Sequence, residues 1–259
     1  MACTRVEIEG NIARLIFSRP AVLNALNVAL LREAAAHLDA LRQRDDIHAL
    51  VITGEGRGFC AGADLSEAAG KREEGGAVDQ QIAHYMDVYG NPLVEAILGF
   101  PAPVVCAVNG PAVGGGAGIA LAADIVVAAR SAYFLIVQPA RLGLVPDLGA
   151  TWLLQRLLGR ARALGIALLG EKVSAEQAQQ WGMIWRCVAD DALLPNAMTL
   201  AAQLAQSAPG VVQATRELND SSTRAGLVEQ MKQERERQVV LCRSAAFRDG
   251  VARFRTTSR

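Results

Sequence analysis

Alternation opens the chain. Apolar and polar residues take turns over Thr4–Ile8 and Ile12–Phe17, and Gly10-Asn11 lies between them, which is the pattern of a β-hairpin. From Val28 the spacing becomes helical. Leu30, Leu31, Ala34, Leu38 and Leu41 fall on one stripe, with Asn27 placed to cap it. Ala49–Thr53 and Pro103–Val108 are short, wholly apolar runs and predict buried strands. Between them, Ile82–Leu98 reads as a helix that Pro92 interrupts or kinks. A glycine-rich stretch from Gly110 to Gly118 leads into a short predicted helix, Ile119–Ala123. Strands at Asp124–Ala128 and Tyr133–Val137 follow. After Pro146 the spacing is mostly helical: Leu148–Leu158, Arg160–Leu169, Ser174–Trp181 and Leu193–Ser207, with a strand at Met183–Val188. Pro209–Leu218, Leu227–Val240 and Ala245–Arg253 complete a charge-rich helical end.

This order predicts an α/β core over residues 1–197 and a helical region over 198–259. Leu50-Val51-Ile52 and Val104–Val108 each run into a glycine-rich turn and a further short segment. Repeated strand–strand–helix units of this kind stack as a spiral rather than a doubly wound sheet. The polar stretch 66–78, with Lys71-Arg72-Glu73-Glu74, reads as a solvated surface loop. Trp152, Trp181 and Trp185 are assigned to the core.

Composition changes the picture only by exclusion. The 259 residues suffice to bury roughly 70–75% of the unfolded surface. Lys+Arg and Asp+Glu both number 26, so the basic excess expected of a nucleic-acid binder is missing. Cys3, Cys60, Cys106, Cys187 and Cys242 are odd in number and widely spaced, which suits free thiols in a reducing compartment. His37, His48 and His84 form no metal-binding pattern, and no metal is expected. No signal peptide or membrane-length apolar run is visible, so the expected location is the cytoplasm, without membrane association.

Two segments invite chemistry. Gly58-Phe59-Cys60-Ala61-Gly62-Ala63-Asp64-Leu65 and Asn109-Gly110-Pro111-Ala112-Val113-Gly114-Gly115-Gly116-Ala117-Gly118 each follow a predicted buried strand and precede a helical segment. Glycine and alanine let a main chain approach a ligand closely, and amides at a helix start point outward unpaired. Two such turns facing one point would hold one oxygen between two N–H donors, an oxyanion hole. Equally, the glycines can serve only close packing or left-handed turns. Neither segment completes a dinucleotide fingerprint, and no Walker A lysine motif exists.

The two segments, in this order and about fifty residues apart, resemble the enoyl-CoA hydratase/isomerase (crotonase) superfamily. Arg19-Pro20, Leu23-Asn24-Ala25-Leu26, Thr53-Gly54, Asp124-Ile125, Leu144-Val145-Pro146-Asp147, Ser174-Ala175-Glu176-Gln177-Ala178 and Trp181-Gly182-Met183 support the match. Tyr89–Val94, Gly159–Gly170 and Trp181–Trp185 are similar in particular to the branch of 1,2-epoxyphenylacetyl-CoA isomerases in phenylacetate breakdown. The resemblance implies a crotonase-type spiral with a C-terminal trimerisation region, assembled as a homotrimer or dimer of trimers. It implies an acyl-CoA thioester substrate, with coenzyme A entering as part of that substrate and no separate cofactor. The amides of Ala63 and Gly115 match the oxyanion donors. Ala61, Asp64 and Leu65 match positions lining the adenine pocket, and Leu23 and Ala25 match contacts to the CoA moiety.

Departures from the family pattern narrow the activity. Hydratases of this family hold water with two glutamates. The first would stand at Gly118 and the second near Pro139-Ala140, yet Phe134–Leu142 contains no acid. Asp147 remains, at the place where isomerase branches carry their acid–base carboxylate. Its neighbours Leu142, Leu144, Val145 and Leu148 are expected to desolvate it and raise its pKa. Read without the resemblance, Asp147 is a cap or first-turn acid of the helix that follows. The expected activity is isomerisation, either of a Δ3 to a Δ2 enoyl-CoA or of 1,2-epoxyphenylacetyl-CoA. Hydration of a 2-enoyl-CoA and non-catalytic acyl-CoA binding are the alternatives.

Overall fold

The alternating N-terminus folds as the hairpin β1 (Thr4–Glu9) and β2 (Ile12–Phe17), turning at Gly10 with φ +59°. These strands come from a computed structural model that describes residues 2–65 and 78–257, so all but the last position of the predicted loop 66–78 lies outside the described residues. The residues group into two units, Met1–Ala205 and Gln206–Arg259.

In the first unit β2 pairs in parallel with β3 (Ala49–Gly54), β3 with β4 (Val104–Val108), β4 with β6 (Ile125–Ala129) and β6 with β9 (Arg186–Val188). A second sheet holds β5 (Ala112–Val113), β7 (Tyr133–Leu135) and β8 (Val173–Ser174). The chain therefore steps from the first sheet to the second after β4, returns at β6, and steps across again at β7. That stepping is the predicted spiral. Every residue of β4 is buried, as a parallel strand covered on both faces requires.

Helix α1 (Val28–Arg42) lays Leu30, Leu31, Ala34, Leu38 and Leu41 on the core, and the Asn27 side chain accepts the Leu30 amide at 2.9 Å. The segment around Pro92 is a helix α2 (Val78–Tyr85), a wide π-type turn at Met86–Gly90, and a helix α3 (Asn91–Leu98). The Asn91 N–H donates to the Met86 carbonyl, and Pro92 sits in the first turn of α3, where its missing N–H costs nothing. Helix α4 (Gly115–Leu121) starts four residues before the predicted Ile119, because glycines mask its helical pattern. Helix α5 (Ala150–Leu169) covers two predicted helices and breaks at Gly159 (φ 71°, ψ 171°). Ser174 caps α6 (Ala175–Gln180), and α7 (Leu193–Leu204) closes the unit.

The second unit contains α8 (Val211–Ser222), α9 (Leu227–Leu241) and α10 (Ala245–Thr257). A cavity among them, about 700 Å³, contains none of the predicted site residues.

The tryptophan assignment needs correction. Trp152 is 41% and Trp185 60% exposed, and only Trp181 packs against the core. Trp152 lies at the surface under the Arg156 guanidinium, 3.5 Å from its ring centroid, and Trp185 immediately precedes edge strand β9. The cysteines are free, with Cys60 and Cys106 buried. Among the described residues no helix is long and apolar enough to cross a membrane.

Asn24 fastens the turn after β2 to the turn after β3. It is buried with φ +57°, accepts the Arg19 amide at 2.8 Å, and donates to the carbonyls of Glu55 (3.1 Å) and Gly58 (2.8 Å). Asn24→Ala strips these bonds and leaves their partners unmet, so urea unfolding should register a loss of about 2–4 kcal/mol. A loss under about 0.5 kcal/mol would show that the turns hold without it.

Candidate active site

The two glycine-rich segments are stitched side by side. Cys60 donates to the Pro111 carbonyl at 3.0 Å, and Val113 donates back to Cys60 at 2.9 Å. On the other flank Leu26 donates to Gly62 at 2.7 Å, and Asp64 donates to Leu26 at 2.9 Å. These ladders use the amides around Ala63. Among the described residues, the Ala63 amide itself meets no acceptor. The same holds for Gly115, whose N–H opens helix α4 and has no preceding turn to bond. The segments touch at Gly62 (φ +83°), where a Cβ would lie 2.7 Å from the Val113 carbonyl oxygen and 3.7 Å from the Gly114 Cα. The structure thus brings the two predicted donor segments together.

Leu148 closes the far side. It adopts φ +48°, a left-handed conformation that costs a leucine energy. Its side chain fills the space where Cβ atoms would stand on Gly90 (2.6 Å) and Gly115 (2.7 Å), and its carbonyl oxygen lies 2.5 Å from a Cβ built on Gly118. The place where the resemblance puts a hydratase glutamate is therefore occupied by the main chain of Leu148.

Asp147, just before this wedge, is half-buried. Its Oδ1 accepts from Nε2 of Gln138 at 2.9 Å. Burial pushes its carboxyl above the ordinary carboxylate value, against the opposing pull of the Gln138 bond and its own backbone amide. The cap reading fails. Helix α5 begins at Ala150 with Gly149 as its cap residue and no side-chain cap; only the Asp147 carbonyl serves the helix, accepting Ala150 N–H at 3.0 Å. The source of desolvation also needs correction. Leu142, Leu144 and Val145 are 44%, 50% and 79% exposed, so of the four expected neighbours only Leu148 is buried.

The positions matched to CoA form a second linked group. Ala61 donates to the Leu23 carbonyl at 2.9 Å. Arg19 reaches the Ala25 carbonyl at 2.5 Å and pairs with Asp64 at 3.0 Å. Asp64 is thus committed to an ion pair with only 11% of its side chain exposed, while Leu65 is 56% exposed. Glu73 and Glu74 lie outside the described residues.

Sequence reasoning missed Gln138 and Tyr85, and it placed Leu148 beside Asp147 without its role as a wedge. Gln138 carries no signal that separates it from a surface glutamine. Leu148 reveals itself only through a backbone angle. Tyr85 sends its hydroxyl to the Leu26 carbonyl at 3.1 Å, tying α2 to the segment that bridges Ala63. Among the described residues no cluster of His, Cys, Asp and Glu is arranged to hold a metal.

Comparison with known proteins finds relatives over nearly the whole chain. A model of the family described as enoyl-CoA hydratase/isomerase matches residues 7–259. The chain is 44% identical to the 1,2-epoxyphenylacetyl-CoA isomerase of Escherichia coli, covering 95% of this chain and 93% of the relative. It is 40% identical to a probable enoyl-CoA hydratase of Rhodobacter capsulatus, over 96% and 93%, and 33% identical to the 2,3-dehydroadipyl-CoA hydratase of Escherichia coli, over 96% and 94%. The crystal structure of an enoyl-CoA hydratase from a Polaromonas species superimposes with a TM-score of 0.90 at 31% identity, over 98% and 97%.

Two predictions follow from the packing and charge. Gly118→Ala drives a Cβ against an immovable backbone oxygen and should cost about 1–3 kcal/mol in unfolding experiments. Gly90→Ala meets only the end of the Leu148 side chain and should cost less; the reverse ranking would remove the wedge. The raised pKa of Asp147 means that the folded chain binds the extra proton, so this group lowers stability above that pKa and the penalty lifts as pH falls through it. Asp147→Asn should accordingly raise the melting temperature at pH 7–8, with the advantage shrinking on acidification.

Proposed function

Because the chain belongs to the enoyl-CoA hydratase/isomerase family, we propose that its site isomerises an acyl-CoA thioester. Its substrate would be either a Δ3-enoyl-CoA, converted to the Δ2 isomer, or 1,2-epoxyphenylacetyl-CoA. The observation that carries this reading is one half-buried, pKa-raised carboxylate, Asp147, next to a Gly118 seat filled by main chain.

The chemistry needs little more. The thioester oxygen rests between the amides of Ala63 and Gly115, which strengthen their bonds as negative charge gathers there. In the double-bond shift, Asp147 takes the proton from the α-carbon, the C–H electron pair enters the dienolate, and the same carboxyl returns the proton at the γ-carbon. A carboxyl with a raised pKa suits both halves, since it must hold the proton between them. Water addition would require a group to orient and activate water. The 134–142 stretch offers no acid, and position 118 has no room for a side chain. Leu23, Ala25, Ala61, Asp64 and Leu65 are assigned to the CoA end.

Hydration is the second reading, supported by the hydratase names of the relatives at 40% and 33% identity. Rapid water uptake by crotonyl-CoA would favour it, and tight thioester binding without turnover would leave only a binding protein. The C-terminal helices expose Leu227, Val228, Val240 and Phe254, which supports association as trimers or dimers of trimers.

The decisive experiment is Asp147→Asn assayed with a 3-enoyl-CoA and with 1,2-epoxyphenylacetyl-CoA. Turnover should fall on the order of 10²–10⁴-fold while thioester binding persists. Near-native turnover would end the proposal. In the wild-type chain kcat/KM should fall on acidification with a midpoint above that of an ordinary aspartate carboxyl, because the base must be ionised to act.

A further inference from the structure

We propose that Gln138 is a positioning residue for Asp147: it ties down one carboxylate oxygen, Oδ1, and leaves Oδ2 as the sole oxygen that carries the proton. The inference rests on the isomerase reading for its catalytic part.

Gln138 is a costly residue where it stands. It is 5% exposed at the start of the wide turn 138–142, and its Oε1 is buried without a hydrogen-bond partner among the described residues. A buried acceptor left unpaired is unfavourable, and an apolar side chain of similar length would avoid that cost. The one hydrogen bond this amide makes among the described residues is from Nε2 to Asp147 at 2.9 Å. The polar character of Gln138 thus serves Asp147 alone.

The amide is also held firmly. A Cβ built on Gly114 would lie 3.2 Å from Nε2, 3.6 Å from Cδ and 3.7 Å from Oε1, so the whole amide lies against Gly114 where that glycine bares its backbone. Gly114 immediately precedes Gly115, and its own N–H is fixed to the Leu135 carbonyl at 2.8 Å. The Gln138 carbonyl accepts Leu144 N–H at 3.2 Å, which ties the two ends of the loop leading to Asp147. Carboxylate and oxyanion segment are therefore registered to each other through one amide plane.

The consequence for the reaction is definite. Oδ2 takes the proton as the C–H electron pair enters the enolate, and Oδ2–H gives it back to the second carbon as the enolate pair forms the new C–H bond. Oδ1 accepts from Nε2 throughout, so the carboxyl cannot spin and the proton returns on the face it left. Charges on the surrounding elements do not compete. Helix α4 has none; Arg141, Asp79, His84, Asp87 and Glu95 are exposed, and none of them contributes to the shift at Asp147.

The test is Gln138→Met, which fills similar space without a donor. Loss of a bond to the ionised form raises the Asp147 pKa, so the acid limb of kcat/KM should move up by about one pH unit. With substrate deuterated at the donating carbon, the fraction of label carried to the accepting carbon should fall several-fold. A carbon-13 titration of the Asp147 carboxyl, assigned by comparison with Asp147→Asn, should show the same upward shift without substrate. In the unaltered chain the Gln138 side-chain amide resonances should titrate together with Asp147, a readout that survives if the variant does not fold. A variant with reduced kcat but unchanged pH limb and label transfer would overturn the proposal, as would an unchanged carboxyl titration. Failure of the wild-type chain to isomerise either thioester would instead overturn the isomerase reading and the shuttle with it, while the titration would still decide the clamp.

Discussion

The site depends on glycine main chain lying closer to its neighbours than a Cβ allows. Leu148 reaches Gly90 and Gly115 with its side chain and Gly118 with its carbonyl oxygen at separations where a Cβ would collide, and the Val113 carbonyl oxygen meets Gly62 the same way. These contacts pull the turn after β3, the start of α4 and the loop before α5 into one cluster. The left-handed backbone of Leu148 is the local cost, offset by burying its side chain completely enough to leave 3% exposed. Because the approach at Gly118 is made by the Leu148 backbone, the packing excludes a carboxylate from position 118.

Polarity in the cluster is sparse, and each group has an identifiable environment. Two amides stay unbonded among the described residues, because the ladders beside them consume their neighbours' hydrogen bonds and because a helix cannot satisfy its first N–H groups. One carboxylate is half-buried with a single side-chain donor among the described residues, which leaves it more basic than an exposed acid. The buried Cys60 thiol, pushed up to about 12, stays protonated next to these groups and adds no charge. The result is a site in which charge can develop at one oxygen and be matched by one acid, with little else to intercept it.

Much of this was legible in the amino-acid order, and the failures have physical causes. The hairpin, the Asn27 cap, the buried strands and the interruption at Pro92 are local effects of alternation, capping and a missing N–H, so pattern finds them. Pattern finds Gly115–Leu121 only from Ile119 on, because glycines at 115, 116 and 118 have weak helical preference and no side chain to show a stripe, and tertiary burial overrides that. Asp147 was identified as a carboxylate of interest, but its partner and the source of its desolvation were not. Both depend on contacts between residues 114, 138 and 148, which no local spacing encodes. Trp152 and Trp185 misled because large aromatic residues are usually covered, whereas here one lies beneath an arginine and the other borders a sheet edge.

The wide turn at Met86–Gly90 has a consequence for how such a chain diversifies. A turn bonded i to i+5 takes in one residue more than an α-turn, so the helix upstream is rotated by roughly 100° relative to an unbroken one. Downstream, Leu93, Val94 and Ile97 are committed to the interior; upstream, Val78 and Ile82 face outward. The turn uncouples the two faces, so mutation can explore the outer half while the inner half keeps its seat.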